Sequence, residues 1–331
     1  MSIFASFIGV AVLVFLAFLG TGVAGLDFVF GIIIPYIAII IFVVGFVLKI
    51  LCWAKTPVPF SIITTCGQQK TLSWIEPDNL ENPNNIFGVI VRMALEIFLF
   101  RSLFRNTKME VRKGGKIVYG PNLWLWAAGL AFHYSFLVIF IRHCRFFTEP
   151  VPFFIPIIDS LDGFFQYWLP AIYISDAVIL GAVTFLFLRR VFSPQLRYIS
   201  LAADYFPLFL ILGIVATGAL LRYSPARVDI VAVKELAMGW LSFHPTIPET
   251  MGTMFYIHLF LVSTLFAYFP FSKLMHLGGI FLSPTRNMTG NTREVRHINP
   301  WNPQVKLHSY EAYEDEFRKK MKDAGIPVDK E

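Results

Sequence analysis

Six stretches of the sequence are each long and apolar enough to cross a lipid bilayer as a helix. A membrane-spanning helix needs roughly 20 mostly apolar residues. Only 15% of the residues are charged, whereas about 25% are charged in a typical soluble domain, so an ordinary soluble fold is excluded. The sequence therefore predicts an all-α fold, a polytopic membrane helical bundle. Its six transmembrane helices are expected at about 3–22, 28–51, 122–143, 169–188, 204–221 and 253–282.

The basic residues predict which side of the membrane each loop occupies. Six spans place both termini on one side, and the segments on that side contain 23 of the 28 Lys and Arg residues. The opposite loops contain the other 5. Because cytoplasmic loops carry an excess of Lys and Arg, both termini are expected in the cytoplasm. This orientation accounts for the net charge of +6 without a nucleic-acid partner.

The predicted spans divide the chain into four parts. Residues 1–53 form an N-terminal pair of membrane helices, 54–121 a cytoplasmic insert, 122–282 a four-helix core, and 283–331 a cytoplasmic tail. The tail is rich in Pro and Asn at its start, so we expect an extended segment followed by a short helix. The insert and the tail have too little apolar content for a core of their own and are expected to dock a partner.

Residues 86–105 of the insert are apolar but interrupted by charges. A spanning helix would bury these charges, whereas a helix lying in the membrane plane lets them reach towards the lipid headgroups. We therefore predict an in-plane amphipathic helix, and a seventh span is the alternative. The charged residues concerned are Arg92, Glu96, Arg101 and Arg105.

The three cysteines exclude several kinds of site. Cys52, Cys66 and Cys144 are far apart and odd in number, so they provide no disulfide framework, zinc site or four-thiolate iron–sulfur site. The sequence also lacks a C-x-x-C-H motif, which excludes a covalently attached c-type haem.

Four of the seven histidines lie within predicted spans: His133 and His143 in the third, and His258 and His276 in the sixth. Because a helix advances about 100° and 1.5 Å per residue, the 18-residue spacing puts His258 and His276 on one face, about 27 Å apart. The 10-residue spacing separates His133 from His143 by about 15 Å. Since the third and sixth spans are antiparallel, His133 should face His276 near the cytoplasm, and His143 should face His258 near the outer side.

Two facing imidazoles fit a haem better than zinc, because they supply only half of a tetrahedral zinc site. Bis-imidazole ligation closes both sides of a haem iron and is suited to electron transfer. The sequence therefore predicts two haem b groups, with His133 and His276 as iron ligands of the inner haem and His143 and His258 of the outer one. For a single buried histidine, the alternative is a hydrogen bond across helices.

Basic side chains near these histidines are candidate partners of the haem propionates. Arg142 and Arg145 flank His143, and Lys273 is one turn from His276. The alternative is that they reach towards the headgroups, as long basic side chains at helix ends do. The other three histidines are expected to be solvated or interface residues: His244, His297 and His308.

The spacings His-x9-His and His-x17-His, with two spans between the pairs, resemble those of the cytochrome b (gamma) subunit of membrane-bound nitrate reductase. Several phrases resemble more closely the DsrM family, the membrane cytochrome b of the DsrMKJOP complex of sulfur-metabolising prokaryotes. The phrases are EIFLFRSLFRNTK, AFHYSFLVIFIRHCRFF, FPFSKLMHLGGIFLSPTRNMTGNTREV and NPWNP.

The resemblance implies a quinol-oxidising subunit of a multi-subunit oxidoreductase in the cytoplasmic membrane of a prokaryote. It also implies electron exchange between menaquinone and a cytoplasmic DsrK-like iron–sulfur subunit related to heterodisulfide reductase, with further membrane and periplasmic subunits. Alternatives are an anchor of another respiratory oxidoreductase, of the nitrate or heterodisulfide reductase type, or a transporter, although the interrupted helices or inverted repeats of a transporter are not evident.

Quinol oxidation releases protons, so carboxylates near the outer haem are candidate proton acceptors. Asp176 is expected about two turns into the fourth span, where an uncompensated carboxylate is costly. We therefore predict that Asp176 handles protons, and the alternative is a hydrogen bond to a neighbouring helix. Acidic residues in the preceding loop are weaker candidates, namely Glu149, Asp159 and Asp162.

Overall fold

A computed structural model describes residues 2–56, 67–104, 108–164, 171–291 and 306–330. Within these residues the chain is mostly helical and contains two short antiparallel strand pairs. The helices in these residues are α1 (Ser2–Ala17), α2 (Ile34–Ala54), α3 (Ile86–Leu99), α4 (Arg101–Phe104), α5 (Leu123–His143), α6 (Phe154–Asp162), α7 (Ile174–Phe192), α8 (Pro194–Ile199), α9 (Ala202–Tyr223), α10 (Ile230–Ser242), α11 (Thr253–Tyr268), α12 (His276–Gly279) and α13 (Tyr310–Asp323). The strands are β1 (Lys108–Arg112), β2 (Lys116–Gly120), β3 (Gly163–Phe164) and β4 (Ile172–Tyr173).

Five helical segments in the described residues are long and apolar enough to span a membrane, which confirms a helical membrane protein. They are Ser2–Val23, Val29–Ala54, Leu123–Phe147, Ala202–Tyr223 and Thr253–Phe271. The fourth predicted span corresponds to the 19-residue α7, which is not among the five. Its charges lie at its ends, with Asp176 in the first turn and Arg189 and Arg190 in the last.

The central helices form an open arc. α5 packs against α7, α7 against α9, and α9 against α11, while α1 and α2 lie on the outside against α11, and α1 also packs on α9. α5 and α11 do not pack closely against each other. The apolar core therefore forms around α1, α9 and α11, with Leu210, Tyr256 and Leu261 almost completely buried.

The predicted sixth span is not one continuous helix. α11 ends at Tyr268, a 3-10 turn follows at Phe269–Phe271, and Ser272 has extended backbone at φ −120° and ψ 174°. His276 then begins the separate short helix α12. The expectation that His258 and His276 share one helix face is therefore wrong, because Pro270 and the extended Ser272 interrupt the helical phase between them.

The insert folds against the amino-terminal part of α5, and we call this end of the bundle the insert side. α3 is capped by Asn85, whose side chain accepts a hydrogen bond from the backbone N–H of Gly88 at 2.8 Å. It ends at Phe100, which has a left-handed backbone with φ 49°. The chain then turns into α4 and the hairpin β1–β2, where Met109 pairs with Tyr119 and Val111 with Ile117.

Two charges of α3 do not reach outwards as expected. Arg92 is 4% exposed and Glu96 is 5% exposed. Glu96 accepts hydrogen bonds from the backbone and hydroxyl of Ser102 and lies 3.6 Å from Nε of Arg286 in the tail. The charged side of α3 is thus covered by protein, whereas Arg105 lies outside the described residues. Arg101 is paired with Glu81 at 2.8 Å.

Candidate functional site: two histidine pairs

The structure brings His133 and His276 together on the insert side. Their ring centroids are 5.9 Å apart and their planes nearly perpendicular. His133 lies on α5 and His276 starts α12, so the contact joins the two ends of the open arc. Phe100, between α3 and α4, packs edge-on against the His133 ring at 4.8 Å. This pair is thus formed by three separate parts of the chain.

His143 and His258 lie at the opposite end of the bundle. His143 is the last residue of α5, and His258 lies in the second turn of α11. The two rings are close enough to interact electrostatically. His258 packs closely on α9, because a methyl group at Gly218 would lie 3.2 Å from its Cε1 atom. The two pairs therefore lie at opposite ends of α5, one formed with α12 and the other with α11.

Hydrogen bonds fix the orientation of all four rings. Nδ1 of His133 lies 2.8 Å from the carbonyl oxygen of Gly129, Nδ1 of His143 is 2.7 Å from that of Ile139, and Nδ1 of His276 is 2.9 Å from that of Lys273. A carbonyl oxygen can only accept, so Nδ1 carries the proton in each case.

His258 has a different partner. Its Nδ1 lies 2.9 Å from the hydroxyl of Thr217, which itself donates to the carbonyl oxygen of Gly213 at 2.8 Å. Because that hydroxyl proton is already engaged, Thr217 accepts the proton of His258 Nδ1. All four imidazoles therefore present an unprotonated Nε2, the atom that ligates a metal when the other nitrogen donates a hydrogen bond.

The Nε2 atoms of the four histidines are unpaired within the described residues. No hydrogen bond is made there to Nε2 of any of the four rings. His133, His143 and His276 are exposed. No group of three or more potential metal-ligating side chains occurs in the described residues. Two imidazole nitrogens without a hydrogen-bond partner in each pair match the ligand chemistry of a bis-histidine haem better than that of a tetrahedral metal site.

Arg142 is engaged in an ion-pair network with carboxylates of α6 and α7. Its Nη2 donates to Oδ1 of Asp176 at 2.6 Å, and its Nη1 lies 3.5 Å from Oδ2 of Asp162. Arg142 is 7% exposed. Tyr223 on α9 donates its hydroxyl to the other oxygen of Asp176 at 2.8 Å. This network links α5, α6, α7 and α9. The side chain of Arg142, a predicted partner of a haem propionate, is thus engaged within the protein.

Asp176 is not two turns inside the fourth span. It is the third residue of α7 because the preceding residues pair as strand β4 with β3, which delays the start of the helix to Ile174. Asp176 is 22% exposed at its side chain and is compensated by Arg142 and Tyr223. The structure shows the alternative role of Asp176, a hydrogen bond to a neighbouring helix, because Tyr223 lies on α9.

The other two predicted propionate partners are also paired within the chain. Arg145 donates to Asp159 on α6, and Lys273 donates to Asp204 on α9 at 2.6 Å. Lys273 remains 73% exposed at its side chain, so of the three basic residues it is the most open to a second partner.

Sequence reasoning missed the residues that support the pairs from the neighbouring helix. Thr217 is such a residue, and one threonine in an apolar span gives no signal without knowledge of which helix faces it.

The sequence also gives no signal for Tyr173, which contacts the ion-pair network of Arg142. Its ring lies between the guanidinium groups of Arg142 and Arg222, whose Cζ atoms are 3.6 and 4.0 Å from the ring centroid.

Two of the remaining histidines lie on the surface. Nδ1 of His244 is 2.7 Å from the carbonyl oxygen of Ser242, and both residues are exposed. His308 lies 3.9 Å from Glu316 beside α13, and its side chain is 59% exposed. His297 lies outside the described residues.

Comparison with known proteins shows extended similarity. The sequence model of the family described as nitrate reductase gamma subunit matches residues 84–296. The "Hdr-like menaquinol oxidoreductase cytochrome b-like subunit" of Archaeoglobus fulgidus is 43% identical over 83% of this chain and 84% of its own length. The protein of the same name from Archaeoglobus profundus is 40% identical over 83% of each chain. The respiratory nitrate reductase 1 gamma chain of Escherichia coli is 30% identical over 54% of this chain and 78% of its own.

Proposed function

This chain belongs to the nitrate reductase gamma subunit family, and we propose that it is a dihaem b membrane subunit that carries electrons between a quinol and a cytoplasmic iron–sulfur partner. The family makes it a membrane electron-transfer subunit of the cytochrome b type. The observation that carries the dihaem proposal is the set of four imidazoles, arranged in two pairs, whose Nδ1 protons are engaged and whose Nε2 atoms have no hydrogen-bond partner among the described residues.

The chain's own contribution is to hold and orient the ligands. His133 and His276 would hold one haem on the insert side, and His143 and His258 another on the opposite side. When bound, each haem supplies reversible one-electron transfer. Gly129, Ile139, Lys273 and Thr217 fix the rings through their acceptors, so no tautomer change is needed for ligation.

The sidedness of the reaction follows from the basic loops. The insert side carries most of the Lys and Arg residues and would be cytoplasmic. Quinol oxidation is then expected beside His143 at the outer side, where the protons are released outside while electrons pass inwards. Asp176 was the first choice for a proton acceptor, but its ion pair with Arg142 favours a fixed carboxylate.

Asp159 is the better proton acceptor among the outer carboxylates. One of its oxygens accepts from Arg145, and the other is buried without a hydrogen-bond partner. A buried oxygen with a free lone pair can accept a proton from a bound quinol. Replacement of Asp159 by Asn should therefore change the pH profile of quinol oxidation, while Asp176→Asn should chiefly lower stability. The reverse result would return the proton-handling role to Asp176.

A finer proposal concerns the complex in which the chain works. We infer a DsrM-type role, in which menaquinol electrons reach a DsrK-like subunit of a DsrMKJOP complex in dissimilatory sulfur metabolism. The phrases that resemble DsrM lie in the insert, in α5 and in the segment from Phe269 onwards. The names of the two Archaeoglobus relatives, which contain "Hdr-like" and "menaquinol oxidoreductase", agree with a heterodisulfide-reductase-like partner and with menaquinol.

The docking site for that partner is proposed on the insert and the tail. The hairpin β1–β2 presents Met109, Val111, Ile117 and Tyr119 on one face, each more than half exposed. A lone two-stranded hairpin is marginally stable in water, so an apolar face on it is a natural surface for a partner. The tail adds helix α13, where the ring centroids of Tyr313 and Phe317 lie 4.9 Å apart with their planes tilted by 44°.

The first experiment is a reduced-minus-oxidised absorbance spectrum with haem quantification on the purified complex. We expect a b-type signal and two haems per chain. His133→Ala and His276→Ala should each remove the insert-side haem and spare the other, and His143→Ala and His258→Ala should do the opposite. One haem per chain, or loss of the same haem in His133→Ala and His258→Ala, would contradict the pairing.

A quinol analogue tests the sidedness. It should shift the spectrum or potential of the haem that is lost in His143→Ala. A shift of the haem lost in His133→Ala would place the quinol site on the cytoplasmic side instead.

A further inference from the structure

The exposed face of α3 is apolar although its buried face is charged. Residues 86, 87, 90, 94, 97 and 98 fall within an arc of about 120° on a helical projection, and all six are Ile, Phe or Ala. Ile86, Phe87, Ile90 and Phe98 are 75%, 76%, 60% and 60% exposed. In a helix that faces water, the exposed face is polar and the apolar face is buried, so this pattern is inverted.

The charged side of α3 is covered by two polar segments of the same chain. Residues 67–85 and 283–291 form this cover, which we call the cap. Arg286 of the cap lies 3.6 Å from Glu96, and the charges of Glu81 and Asp78 act on Arg92. The backbone N–H of Gly290 donates to the carbonyl oxygen of Pro83 at 2.6 Å, which joins the two halves of the cap.

The carboxyl end of α3 is attached to a membrane-spanning helix. Tyr134 of α5 donates its hydroxyl to the carbonyl oxygen of Phe98 at 2.9 Å, and Nε1 of Trp126 donates to that of Leu99 at 2.7 Å. These two hydrogen bonds satisfy carbonyl groups that the end of α3 would otherwise leave unpaired. They also place the end of α3 beside the first four turns of α5, on the insert side.

We propose that the apolar face of α3 inserts into the acyl chains of the cytoplasmic leaflet, with the cap above it at the aqueous surface. The helix has 14 residues and is therefore about 21 Å long, too short for a hydrocarbon core of about 30 Å. It lies along the membrane surface, as amphipathic helices with one wide apolar face do. Lipid is the occupant because the face contains no polar side chain and because α3 is hydrogen-bonded to α5, one of the helices that are long and apolar enough to span a membrane.

The arrangement gives α3 a role in shielding the insert-side histidine pair. The helix ends at Phe100, which packs against His133, and Leu103 of α4 follows against Gly129 on α5. An anchored α3 therefore holds this turn against α5 from the lipid side. The cap, which includes the start of the tail, is held to the same helix by Arg286 and Glu96.

Spin-label accessibility in the full-length protein tests this directly. The native Cys52, Cys66 and Cys144 are replaced by Ser, and a nitroxide is attached to Phe87→Cys or Ile90→Cys in protein reconstituted into liposomes. Both side chains are exposed, so neither change disturbs packing. Reference labels at Ile8→Cys, exposed in the middle of α1, and at Leu307→Cys, 90% exposed in the tail, represent lipid and water.

The proposal predicts that the nitroxides at positions 87 and 90 collide mainly with oxygen, as the nitroxide at position 8 does. A water-soluble nickel chelate should have little access to them. Dominance of the nickel chelate, as at position 307, would show that the face is in water. Low access of both reagents would show that protein covers the face. Either result overturns the proposal, and neither affects the haem assignment, because the measurement does not depend on the histidine pairs.

Discussion

The hydroxyl of Thr217 is expected to set the redox potential of one haem and not the other. It is the side-chain acceptor for His258, whose ring also interacts with the backbone carbonyl of Ile214, whereas the other three histidines use backbone carbonyls that no side-chain substitution removes. Thr217→Val has nearly the same shape but no acceptor. The imidazole of His258 then loses a partner that helps to fix its orientation and makes it more electron-rich.

The size and sign of the effect follow from the hydrogen bond. A neutral hydrogen bond contributes about 1 kcal/mol net, and for a one-electron couple 59 mV corresponds to a tenfold change, or about 1.4 kcal/mol. If the bond favours only the oxidised state, its loss raises the midpoint potential by about 40 mV. The sign is positive because an electron-rich imidazole stabilises ferric iron more than ferrous iron.

The assay is a potentiometric titration of both b-type signals in membranes. Thr217→Ser is the matched control, because it keeps the hydroxyl and should leave the potential close to that of the parent protein. The haem lost in His258→Ala should be the one that shifts, and its affinity should fall roughly 10- to 100-fold, as for other partners of metal-bound histidines. Equal shifts of both haems, or the same shift in the Ser and Val variants, would refute the reasoning.

Three further predictions concern the rest of the chain. Arg142→Ala leaves the partly buried carboxylates of Asp162 and Asp176 without their cation, so stability should fall by about 3 kcal/mol; an unchanged denaturation midpoint would show that the network is not structural. Val111→Glu on the hairpin should weaken co-purification of the cytoplasmic partner with normal haem content, and full retention would exclude this face as the docking surface. Truncation after Asn291 removes α13 but keeps the cap, so both haems should remain while the partner is lost, and loss of haem would instead show that the tail supports the core.

The sequence predicts the pairing of the histidines better than it predicts their local environment. Two antiparallel chain segments with two histidines each can bring them together in only one order, and the structure brings His133 to His276 accordingly although His276 lies on a separate short helix. The 18-residue spacing does not predict the break between His258 and His276. The turn before Ser272 and the helix α12 after it both pack on α2, and such long-range contacts are not contained in a helical periodicity.

The misplacement of Asp176 and Arg92 has a related cause. Hydropathy locates a span to within a few residues, and a short strand pairing before α7 was enough to move Asp176 from the interior to the first turn. For α3, the helical periodicity separates the charged face from the apolar one. It does not indicate that Glu81, before the helix, and Arg286, far along the chain in the tail, cover the charged face.

The open arc of helices has a consequence for the geometry of the histidine pairs. Because α5 and α11 do not pack closely on each other and are connected through α7 and α9, the separation of the paired rings depends on helices that carry none of the four histidines. A substitution that loosens the contact between α7 and α9 should therefore change the spectra of the bound haems although it lies next to neither pair.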